Sequence, residues 1–178
     1  MLKLNVFSLF FIALLVLSCQ DKTNKVKSVE QVKVEIEPSL IIDLNFKTNK
    51  EGVFKIMMNN IQVDELQKKS IHFSEDVIST TTEDAIKAEF DANNISDNII
   101  ISFGNKEVKE IEIVNLFVSY GSSQINISSP SDIEKYLAFN KFIERDSTSN
   151  KIRTKKINGQ HNPGLFFKRN LINLLKKG

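Results

Sequence analysis

The residues whose types and spacing could do chemistry are few, and the richest group lies near the end of the chain. The strip KIRTKKINGQHNP (151–163) gathers Arg153, Lys155, Lys156, Gln160, His161 and Asn162. Cationic groups at this density suit an anion, and a guanidinium can hold carboxylate, sulfate or phosphate oxygens through two parallel hydrogen bonds. The competing expectation is a solvated hairpin with a turn. A second group, DANNISDN (91–98), supplies hard oxygen donors of the kind calcium takes. Ile95 stands at the fifth position and no glycine at the sixth, so this is not an EF-hand loop. The run reads first as an Asx-rich turn, and second as a weak calcium site built from Asp91, Asn93 and Asp97. His72 and His161 are too far apart for a paired-histidine zinc motif, and His72 fits a sheet residue in an apolar-flanked strand. The stretch YGSSQ (120–124) is not a nucleophile elbow, and no carboxylate pair stands out for acid–base work. The expectation is a protein without catalytic residues and without a cofactor.

One further residue carries chemistry of another kind. Cys19, the sole cysteine, closes an apolar run from Val6 to Leu17 that follows a short start bearing Lys3. That run is about a dozen residues, short of the roughly 20 needed to span a bilayer, and has the parts of a secretory signal. Its end, VLSC, resembles the lipobox of bacterial lipoproteins: Val16 at minus three, Ser18 at minus one, Cys19 at plus one, with Leu17 bulkier than usual at minus two. The resemblance implies cleavage after Ser18 and diacylglyceryl attachment to the Cys19 sulfur. Two acyl chains on one residue suffice for stable anchoring, at about 0.8 kcal/mol per buried methylene. Gln20, Asp21 and Lys22 resemble the start of Bacteroidota surface lipoproteins, which implies an outer-membrane address, exposed on the surface or facing the periplasm. The partner so implied is the membrane, reached through the N-terminal lipid. Asp146-Ser147-Thr148 likewise resembles the short Bacteroidota O-glycosylation site, with sugar on Ser147.

About 160 residues follow the signal, one domain's worth, and no disulfide can form within the chain. Hydrophobic residues make up 41% of the sequence, ample for a core. The net charge of +2 conceals an asymmetry: all 22 acidic residues lie at or before Asp146, whereas the residues beyond it carry eight basic and no acidic side chains. Such an imbalance marks either a surface for anions or a solvated basic face. Nucleic acid is not an expected partner, given the envelope address and sparse arginine.

Residues 19–31 read as a lipidated tether. Strand-like runs then follow at 32–36, 40–48, 52–59, 70–74, 85–91, 98–104 and 110–120, by alternation or β-branched content. NKEG (49–52) carries a hairpin signal, and FGNKEVK (103–109) a turn in which Gly104 takes a positive φ. In EIEIVNLFVSY the apolar parity changes after Ile113, which requires a bulge near Asn115 or a bend between layers. Seven runs with short turns predict an antiparallel β-sandwich over 32–120. Beyond it, Ser129, Pro130 and Asp132 predict a capped helix presenting Ile133, Tyr136 and Leu137 on one face. A hairpin folded at DSTSN and a short amphipathic helix after Gly164 complete a predicted helix–hairpin–helix appendage, 121–178, packed on or beside the sandwich. Tyr120 and Tyr136 fall at core-like positions.

The stretch DNIIISFGNKEVKEIEIVNLFVSY resembles the closing hairpin of galactose-binding-like sandwiches, jelly-roll modules often attached to carbohydrate-active proteins. The resemblance implies a jelly-roll sandwich with a ligand site in loops at one end. It implies a carbohydrate as ligand, sulfated or carboxylated if the basic strip is the contact, and adds some weight to a structural calcium. The alternative is a structural lipoprotein that docks onto another envelope protein.

Overall fold

A computed structural model of the chain describes residues 38–91 and 95–177. The signal, the tether, Cys19, the run at 32–36 and Asn93 lie outside the described residues. The rest is mainly β: two antiparallel sheets enclosing one apolar core.

The elements follow the alternation closely. Strand β1 (Ser39–Thr48) buries every second residue, from Leu40 through Ile42 and Leu44 to Phe46 and Thr48. It is flanked by β4 (Thr80–Asp91) and β6 (Glu110–Tyr120). Strand β2 (Gly52–Gln62) is flanked by β3 (Lys68–Val77) and β5 (Asn98–Ser102). Each change of parity has a local cause. In β6 the pairing steps from Asn45↔Asn115 to Phe46↔Ile113, so Val114 is an extra residue. This bulge, one of the two remedies the sequence allows, keeps Ile111, Ile113, Leu116 and Val118 all buried. In β2 a register shift between Met58 and Ile61 coincides with Asn60 at φ 58°, and both apolar residues face inward.

The NKEG turn does not close a hairpin. It carries the chain from the first sheet to the second, since both edges of β1 are occupied by β4 and β6. A turn signal fixes chain reversal, not the identity of the hydrogen-bonded neighbour. The crossing is packed by Phe46 of β1 against Phe54 of β2, ring centroids 4.9 Å apart, with Phe103 edge-on to Phe54 at 5.2 Å. The turn after β5 also crosses between sheets, so residues 97–120 do not form the expected closing hairpin; Gly104 has the expected positive φ, 77°.

The segment 121–178 contains the expected helix, hairpin and helix but is not set apart from the sandwich. After β6, Gly121 (φ 57°) turns the chain into β7 (Ser123–Ile127), paired with the second half of β6. Helix α1 (Pro130–Tyr136) is capped as predicted: Ser129 Oγ accepts from Asp132 N at 3.1 Å and Pro130 opens the first turn. Ile133 is buried beneath it, while Leu137 already belongs to β8 (Leu137–Phe139). The hairpin β9 (Ile143–Arg145) and β10 (Lys151–Thr154) joins the first sheet beside the start of β6. The run before the last helix is itself a strand, β11 (Gly164–Phe167), lying between β5 and β8 in the second sheet. Helix α2 (Arg169–Leu175) buries Leu171, Ile172 and Leu175 in the same core. The sheet orders are therefore β4-β1-β6-β10-β9, with β7 also on β6, and β3-β2-β5-β11-β8. The reason is physical: without these strands β5 and one side of β6 would be bare edges with unpaired backbone groups.

Candidate functional site

A depression of about 770 Å³ lies on the outer face of the first sheet, where the β9–β10 hairpin meets β6. Alternation builds it. In β10, Ile152 and Thr154 point into the core, so Lys151 and Arg153 point out. The register then sets charges in two short rows. Lys47 of β1, Glu112 of β6 and Lys151 of β10 form one; Glu110, Arg153 and Glu144 of β9 form the other. Opposite charges directly across a ladder favour this strand pairing by a few tenths to about 1 kcal/mol each.

The rows are not closed by ion pairs. Glu144 Oε1 is held instead by Lys155 Nζ at 3.0 Å. Among the described residues the Arg153 guanidinium has no ion-pair partner, and neither has Lys47, Lys151, Glu110 or Glu112. Asn49 fixes one rim: its Oδ1 accepts from Glu110 N at 2.8 Å. Asp146 fixes the other, its carboxyl held below the usual aspartate range by hydrogen bonds from the Thr148 backbone N–H and hydroxyl, with Arg145 nearby. Arg145 is structural. Its side chain is nearly buried, with Nη1 on Glu134 Oε2 and Nη2 on the Pro130 carbonyl, both at 2.9 Å, so it ties the hairpin to α1. The result is a sheet floor carrying donors and acceptors of both signs. The depression contains no aromatic ring among its lining residues.

The basic strip does not converge. Arg153 lies in the depression, Lys155 is paired, and Lys156 is exposed beyond the end of β10. His161 is buried, 7% exposed, with Nε2 3.0 Å from Thr154 Oγ1. That hydroxyl also accepts from Lys109 N at 2.9 Å, so His161 belongs to a polar clasp between chain segments. Asn162 lies beside the second sheet, its carbonyl accepting from Asn140 Nδ2 at 2.7 Å. The dispersal follows from the tight turn at Asn158 (φ 49°) and Gly159 (φ 75°), which folds the strip around one end of the sandwich.

Of the calcium group, Asp91 ends β4, and Asp97 Oδ1 sits 2.6 Å from Lys176 Nζ of the segment after α2. Asn93 lies outside the described residues. Among the described residues no three acidic, histidine or cysteine side chains gather as a metal site. Tyr120 and Tyr136 are half-buried against the core, and His72 is an exposed residue of β3. Sequence reasoning missed Lys47, Glu110, Glu112 and Lys151. Their outward parity is legible within each strand, but the order β1-β6-β10 that aligns them is not. No protein-family model, curated protein or solved structure matches this chain.

Proposed function

We propose that the protein is a lipid-anchored lipoprotein of a bacterial envelope, held in the outer membrane through Cys19, whose sandwich binds a carbohydrate or other extracellular ligand without catalysing a reaction. The observation that carries this reading is the depression at Arg153: unpaired groups of both signs on a sheet face, suited to a polyhydroxylated or charged ligand. The galactose-binding-like resemblance of residues 97–120, and the jelly-roll wiring it implies, favour a carbohydrate. The lipobox at Cys19 supports the address, and the exposed tip position of Ser147 is open to O-glycosylation.

A glycan array probed with the full chain in detergent tests the ligand. Saturable binding that falls at least about tenfold in Arg153→Ala, the loss of one charge-assisted contact, supports the proposal. An array silent throughout refutes it. For the address, Cys19→Ala shifts the protein from the membrane to the soluble fraction; unchanged fractionation rules out the lipid anchor.

A second reading, docking onto another envelope protein, is favoured by apolar side chains near β3. Leu66 is 95% and Ile78 70% exposed, at the two ends of that edge strand, with Val63 and Phe73 between a third and two thirds exposed. Cross-linking in intact cells that recovers one stoichiometric membrane partner, lost in Leu66→Asp with Ile78→Asp, supports this reading over the first.

A further inference from the structure

On the outer face of the second sheet, at the end bounded by the β1–β2 and β5–β6 turns, lies a separate pocket of about 440 Å³. Its polar lining is one-sided: Lys55, Lys106 and Lys109 with Ser102, Asn105 and Asn162, and no carboxylate. Glu107, outside that lining, lies 3.9 Å from Lys50 Nζ.

Lys109 is the unusual member. It is 1% exposed, packed under the turn rather than reaching into water. Among the described residues its ammonium makes one hydrogen bond, to the Glu51 carbonyl at 3.0 Å, and lies 5.3 Å from the centre of the Phe54 ring. An ammonium has three donors, so two are left in a site shielded from solvent. Burying a charge so thinly compensated is costly, and the ordinary escape, stretching the chain outward, is not taken. The backbone makes room for it. A Cβ at Gly52 would collide with Lys109 Nζ, and one at Gly104 would press on the Val53 carbonyl at 3.0 Å and approach the same ammonium at 3.7 Å. The two glycines thus frame the point where the charge meets the pocket. Burial pushes the Lys109 pKa down, against the opposing influence of Glu107 and Glu51, which marks the charged form as short of partners.

We infer that this pocket is an oxyanion site, taking a sulfate, phosphate or carboxylate group against the Lys109 ammonium with Lys55 and Lys106 at its rim. The inference is independent of the Arg153 depression, which lies on the other sheet. An oxyanion supplies the acceptors that Lys109 lacks, and Gly104 and Asn105 line the same pocket.

The test is an amide-shift titration of the full chain in detergent with sodium sulfate, sodium phosphate and sodium glucuronate, at constant ionic strength balanced with chloride. Saturable shifts at Gly52, Gly104 and Asn105 with at least one of the three are expected. In Lys109→Met the affinity for that anion falls about tenfold or more. Gly52→Ala, which keeps the lysine but displaces its head group, produces the same loss. Lys87→Met, which removes an equal charge from the exposed face of β4, leaves the affinity unchanged. Shifts that stay linear with all three anions, or equal affinity in Lys109→Met, overturn the inference. If Lys109→Met does not fold, Gly52→Ala decides alone.

Discussion

Arg153 and Thr154, adjacent in the chain, end on opposite faces of the first sheet, and this alternation separates the proposed binding surface from the polar clasp inside. Lys109 shows the opposite case, a residue type at home in water but held in the interior by its neighbours. Its pKa is lowered in the folded protein from the ordinary 10.5. In the window between the two values the unfolded chain binds more protons than the folded one, so stability rises with pH there. The charged form is the penalised one. Lys109→Met removes that penalty and fills the space under Phe54. Urea melts at neutral pH are expected to show no loss, or a gain of up to about 2 kcal/mol, and the rise towards alkaline pH should flatten. A clear loss at neutral pH would show that the buried ammonium is net stabilising.

At the scale of elements, bulges set the faces. The alternation of β1 was legible because a strand buried on one side writes its pattern directly into the sequence. In β6 the pattern broke, and only two remedies were available; the bulge at Val114 is the one that saves the buried face. In β2 the same job falls to Asn60 in the left-handed region, where asparagine is tolerated and β-branched residues are not. Asn60→Val should cost about 1–3 kcal/mol in chemical denaturation, whereas Asn60→Gly should be neutral. Equal stability of both variants would mean that the bulge can relocate at no cost. The DSTSN turn joins true ladder neighbours, but NKEG does not, because the partners of β1 come from β4 and β6.

For the whole molecule, the consequential difference concerns residues 121–178. Their strands add to β6 and β5 or extend the sheets outward from them, and their apolar residues Leu165, Phe167, Leu171 and Ile172 share one core with Ile42 and Leu44 of the first sheet. A chain ending at Tyr120 would therefore expose the β5 edge, half of β6 and much of the core. It is expected to lack a cooperative thermal transition by circular dichroism, whereas an appended segment could be removed with the sandwich intact. Retention of a sharp transition would show that 38–120 folds by itself.

The sequence alone determined what depends on near neighbours: strand alternation, the Ser129 cap, the positive φ at Gly104, and the break of parity in β6. Periodicity and capping act over a few residues, so a few residues record them. Only the tertiary structure decided which strands lie side by side, and with that the scattering of the basic strip, the charge rows around Arg153, and the cage of Lys109 between Gly52 and Gly104. Sheet order joins residues far apart in the chain, as Lys47 and Lys151 are joined through Glu112. It is settled by competition among all strands for free edges and a shared core, a property no single segment carries.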